Sequence, residues 1–122
     1  STNSIADRFA LGASGSKNNY DIHHIFPKHF LEQQGYSKKD FDKRANFVIL
    51  DYQTNIEISD KNPKEYIPEF KNKLNSEIFK STMEQNAIPE NITELTYEQF
   101  IEKRKDKIIQ IFRNAYDMIK PE

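Results

Sequence analysis

The chain has 122 residues, the size of one domain, and its 36% hydrophobic and 12% aromatic content supports a modest core and excludes a disordered tail. It has no Cys, which excludes a disulfide scaffold, a thiolate zinc site and a Cys nucleophile and fits a reducing cytoplasm. A net charge of −1 gives no bulk signature of nucleic-acid binding, and nothing within these residues reads as a signal peptide or as the roughly 18 apolar residues of a membrane span.

Residues 1–19 hold Gly12, Gly15 and several Ser and Asn around a short apolar cluster at Phe9, Ala10 and Leu11. They are expected to be a linker from a larger protein, and the start at Ser1 rather than Met carries the same expectation. Tyr20, Ile22, Ile25 and Phe26, stopped by Pro27, predict a strand over 20–26. Phe30 and Leu31 predict one or two helical turns ending near Gly35. Residues 37–45 are charged and predict a loop with a helical turn at Phe41. Phe47-Val48-Ile49-Leu50 predicts a second strand.

Residues 51–59 predict a helix with Ile56 inward. Asn62-Pro63 is a cap followed by Pro at the first helical position, and Pro68 then either kinks that helix or starts another. Tyr66, Ile67, Phe70 and Leu74 have helical spacing around it. Ser76 is expected to cap a helix to about Gln85, with Ile78, Phe79 and Met83 inward. Residues 87–91 read as a loop. Thr96 and Gln99 form a capping box opening a helix to about Ile119, with Ile101, Ile108, Phe112, Ala115 and Ile119 as its apolar stripe.

One segment carries chemistry: Asp21-Ile22-His23-His24-Ile25-Phe26-Pro27-Lys28. Adjacent strand residues point to opposite faces, so two neighbouring His converge on one site only where the strand ends or twists. Asn46 opens the second predicted strand, and Asn55 follows nine residues later. Taken singly, these residues have plainer readings. The His pair can be a surface or core accident, Asn46 a strand-end cap and Asn55 an exposed helix residue. His29 shares no helical face with His24 and is taken as a bystander. Lys103, Arg104, Lys105 and Lys107 lie beside Glu102 and Asp106, where intrahelical pairing is the favoured reading.

His23-His24-Ile25-Phe26-Pro27, Arg44-Ala45-Asn46-Phe47-Val48-Ile49-Leu50, Thr54-Asn55 and Asp60-Lys61-Asn62-Pro63-Lys64-Glu65-Tyr66 together resemble the HNH, or His-Me finger, nucleases. The resemblance is greatest to the HNH domain of GmrSD-type, modification-dependent restriction proteins. It covers 21–67 well and the helical tail more loosely. It implies an α+β fold, with a ββα-metal core over 20–60 and a helical C-terminal extension over 61–122, so that 20–122 is one nuclease domain. Two antiparallel strands and a helix would clasp one divalent metal ion.

Residue by residue, the resemblance makes His24 the general base and His23 a metal ligand. Asn46 becomes the middle Asn that pins the loop between the strands and orients the base, and Asn55 the helix-borne metal ligand. Many relatives have Asp where His23 stands, although nuclease colicins resemble this chain in having a His-His pair. The implied ion is magnesium, manganese or another transition metal such as nickel or zinc, and an imidazole, softer than a carboxylate, suits the transition metals better than magnesium. Lys61 and Lys64, just past the active helix, are phosphate-binding candidates. The implied partners are DNA and the remaining domains of a larger parent protein, with no membrane, in a cytoplasmic restriction or phage-defence role.

The chemistry needs these residue types. A base must deprotonate water near neutral pH, and a Lewis acid must stabilise charge on the phosphorane. Two rivals remain. One is a non-cleaving module on an HNH fold that binds nucleic acid or protein. The other is a structural metal domain on His23, His24 and His29, which three His and no Cys disfavour. Basic and acidic residues balance over 21–64, which predicts weak, non-specific DNA binding by this domain alone.

Overall fold

The computed structural model of the chain describes residues 20–51 and 57–120, and shows a mixed α+β architecture, mostly helical, with one two-stranded sheet. The expected linker over 1–19 lies outside the described residues, as does Ile56. Strands β1 (Tyr20–His24) and β2 (Phe47–Asp51) pair antiparallel, with Ile22 opposite Ile49, His23 opposite Val48 and His24 opposite Phe47. β1 stops two residues before the predicted end. Ile25 still donates its N–H to the Asn46 carbonyl at 2.7 Å, but the Phe26 N–H goes to the Asn46 side chain, so the ladder gives way to a side-chain clamp. Asp51 pairs with Tyr20 and belongs to β2 rather than to the helix expected over 51–59, of which Glu57 and Ile58 are helical.

Between the strands run α1 (Lys28–Gln33) and α2 (Lys38–Phe41). Gly35 takes φ +95°, a left-handed conformation that glycine adopts without a Cβ clash, and it turns the chain out of α1. Ser37 and Asp40 form a capping box on α2, and a 3-10 turn, Arg44–Asn46, feeds β2.

Helix α3 (Pro63–Lys73) begins as the sequence suggests: Asn62 accepts the Lys64 N–H at 2.8 Å and Glu65 reaches back to the Asn62 N–H. It runs as one helix through Pro68, which is exposed, so no second helix starts there. The next helix, α4 (Ser76–Gln85), is capped by Asn75 rather than Ser76, because the Asn75 side chain takes the Ile78 N–H. Phe79, Thr82 and Met83 are its buried residues, and Ile78 points outward, against expectation.

Helix α5 (Tyr97–Ile119) opens on the Thr96–Gln99 box. Its buried residues are Tyr97, Phe100, Ile101 and Arg104. Of the expected stripe only Ile101 is buried; Phe112, Ala115 and Ile119 are exposed, because no described element lies beneath the later turns. The core gathers Ile25, Leu31, Leu50, Ile58, Tyr66 and Ile92 around Phe26, whose ring meets Phe100 at 4.9 Å and Tyr97 at 5.4 Å. The end of β1 is thereby packed against the start of α5. Among the described residues no helix is long and apolar enough to cross a membrane.

Candidate active site

Asn46 is fully buried where three segments meet. Its side-chain oxygen accepts the Phe26 N–H at 2.8 Å, and its amide nitrogen donates to the carbonyls of Phe26 (3.1 Å) and Phe41 (3.0 Å). Only a carboxamide offers an acceptor and two donors at one side-chain end, so neither Asp nor Ala reproduces the clamp. In a low-dielectric interior each of these bonds is strong, and each broken one leaves a stranded polar group. The clamp fixes Phe26, two residues after His24.

His24 ends β1 and is half-buried. Its ring lies 4.9 Å from its cross-strand neighbour Phe47 and edge-on to Phe41 at 5.8 Å. Nε2 is 2.8 Å from Asp42 Oδ1, while Lys38 engages the other carboxylate oxygen. Hydrogen bonds from Lys38 and then His24 hold the Asp42 carboxyl below the usual carboxylate range, so it is ionised at neutral pH. An ionised carboxylate only accepts, so Nε2 carries the proton and the lone pair of a neutral His24 sits on Nδ1. An imidazole held in one tautomer by a carboxylate is equipped to take a proton from water.

His23 lies across from Val48 on the other face of the ribbon and is buried. The structure thus brings His24 and Asn46 together through Phe26 and Phe41, and directs His23 to the face opposite His24. Asn55 lies outside the described residues. Among the described residues no group of three or more His, Cys, Asp or Glu could hold a metal ion. Lys61 pairs with Glu69, Nζ standing 3.2 and 3.3 Å from its two oxygens, and Lys64 is exposed in the first turn of α3. His29 is exposed beside Gln33.

Sequence reasoning passed over three supports of this site. The first is Asp42. The second is Arg104, which is buried and donates to the carbonyls of Ala45 (3.0 Å), Phe47 (2.6 Å) and Asn86 (2.9 Å). Burial pulls its guanidinium down to about 10, still charged at neutral pH. Its bonds bracket Asn46 on both sides. The usable signal was its position three, four and seven residues after Ile101, Phe100 and Tyr97, on one helical face. The third is a pair of buried phenols: Tyr66 donates to the Ile25 carbonyl at 2.7 Å and Tyr97 to the Asp40 carbonyl. Burial pushes both hydroxyls well above the usual tyrosine range, which keeps them neutral donors.

No family model matches the chain, and no solved structure matches it. An uncharacterized protein of Methanocaldococcus jannaschii is 31% identical over 97 residues, which make up 80% of this chain and 16% of that protein. The chain therefore spans about a sixth of the length of this relative.

Proposed function

We propose that the chain is an HNH-type nuclease domain that hydrolyses DNA phosphodiesters with a divalent metal, residues 20–60 being its ββα-metal core. The observation that carries the reading is the Asn46 clamp, which locks the end of β1 to the segment before β2 beside a His24 whose tautomer Asp42 sets. That arrangement supports the roles implied by the sequence resemblance. His24 accepts the proton of the attacking water at Nδ1. Asp42 keeps Nε2–H directed and stabilises the imidazolium that forms. Asn46 positions the backbone that carries the base.

A divalent ion on His23 and Asn55 would supply Lewis-acid stabilisation of charge on the phosphate. Of that donor set His23 alone lies among the described residues, and an imidazole with an amide oxygen suits manganese, nickel or zinc at least as well as magnesium. Lys64 is the better phosphate candidate, since Glu69 engages Lys61. The balanced charge over 21–64, and a relative about five times as long, support targeting by other domains of a parent protein, in a restriction role like that of the GmrSD-type proteins.

The test is nicking of supercoiled plasmid with magnesium, manganese, nickel or zinc. Wild type is expected to nick, and His24→Ala to lose about 10²–10⁴ in rate. Wild-type rates in His24→Ala would remove the base assignment. A non-cleaving DNA-binding module on the same scaffold is favoured by one observation, the placement of His23 and His24 on opposite faces. It predicts DNA binding without nicking in every metal.

A further inference from the structure

α5 leaves the rest of the protein soon after Arg104. Every residue from 109 to 120 is exposed, Phe112 by 71%, Met118 by 85% and Ile119 by 79%. In helical projection the apolar side chains of 108–119 fill one half of the circumference, and Gln110, Arg113, Asn114 and Asp117 the other. Three turns rich in Ile and aromatic residues do not hold as an isolated helix in water and call for cover. The bare face continues into a groove whose far wall is the outer face of the ribbon, Ile22, Phe47 and Ile49, and whose near wall is Ile108, Ile111 and Phe112.

We propose that this face is a homodimer interface, in which α5 packs antiparallel against α5 of a second copy about a twofold axis at Ala115. Three features select a second copy. The exposed large apolar residues of helix and groove present on the order of 900 Å² per chain, which exceeds the patch of a typical monomer and matches the roughly 800 Å² each partner contributes to a stable complex. The same helix carries a concave stretch at 108–112 and a bare end at Tyr116, Met118 and Ile119. A twofold axis at Ala115 sets that end into the partner's groove, as a self-complementary contact requires. Ala115 is the smallest residue of the face and allows close approach at the crossing. A net charge of −1 per chain leaves no long-range repulsion between the copies.

The interface stands whether or not the chain cuts DNA. Sedimentation equilibrium of the 122-residue chain from about 1 to 200 µM tests it. The expected mass is twice 14.4 kDa at the upper end, with Phe112→Glu monomeric and still unfolding cooperatively, since Phe112 lies outside the buried core. Ala115→Glu, at the crossing, likewise abolishes association, whereas Asp117→Asn on the opposite face changes it by less than about twofold. A wild-type monomer throughout overturns the proposal, whether another part of the chain or a different protein covers the face. So does a dimer that survives Phe112→Glu or Ala115→Glu.

Discussion

Phe100 and Phe112 stand on the same helix, twelve residues apart, in opposite circumstances. Phe100 is wholly buried, with its ring 4.9 Å from Phe26. Phe112 is 71% exposed. Around Phe100, Tyr97 and Arg104 tie the helix to Asp40, Ala45 and Phe47 by hydrogen bonds from side chains to carbonyls. Around Phe112 no such tie exists among the described residues. An apolar residue at helical spacing announces that the helix has a dry side. Whether that side meets its own chain depends on what the strands and turns bring beneath it, and here they reach only the first two turns.

The contrast is sharpest in core truncation. Phe100→Ala is expected to lose about 3–5 kcal/mol of unfolding free energy in urea titration, through lost burial and the cavity left behind. A loss below about 1 kcal/mol would show that the first turns of α5 are no better packed than the last. Asn46→Ala comes next, at about 2–4 kcal/mol, because it strands the Phe26 N–H and two carbonyls in the interior. Asn46→Asp does not recover this, since a carboxylate has no donor for those carbonyls. Recovery by Asp would mean that the two amide donors are idle.

A smaller effect follows acidity. Asp40, Asp42 and Glu98 have carboxyls held below their ordinary values, chiefly by hydrogen bonds from the Ser37 backbone, from Lys38 and from the Tyr36 hydroxyl respectively. Each is more acidic folded than unfolded, so its stabilisation is complete above the ordinary carboxylate range of about pH 4–5 and is lost as pH falls through the depressed values. Thermal midpoints measured from pH 6 down to about 2.5 should fall, and Asp42→Asn should make that fall shallower. The smallest effect belongs to the other end of α5: Phe112→Ser, measured at high dilution, should change stability by no more than about 0.5 kcal/mol.

Helix starts were legible because caps are local devices. Asn62 with Glu65 and Thr96 with Gln99 each announce themselves within four residues. The strand pair was legible too, but not the end of β1, since a side chain twenty residues away takes over the hydrogen bond that the ladder would have used. In the site, His24 and Asn46 stand out in the sequence by their motif spacing. Asp42 does not, because it is one acidic residue in a mixed-charge loop and its link to His24 spans 18 positions. Arg104 sits in a run of Lys and Arg whose other members are largely in solvent, and only its helical phase relative to Phe100 distinguishes it. The later turns of α5 misled for the opposite reason. Their pattern is a good amphipathic helix, and pattern alone does not say where the opposing surface comes from.

The bonds from Arg104 to either side of Asn46 also set a schedule. Arg104 and Ala45 are 59 positions apart. On a ribosome adding roughly 5–20 residues per second, the strand junction waits about 3–12 s for the cation that braces it, longer than helix or hairpin formation takes by several orders of magnitude. A nascent chain carrying both strands, His24 and Asn46 therefore spends that interval with the Ala45 and Phe47 carbonyls lacking their guanidinium. The last of these supports to arrive comes from α5, a helix made well after both strands.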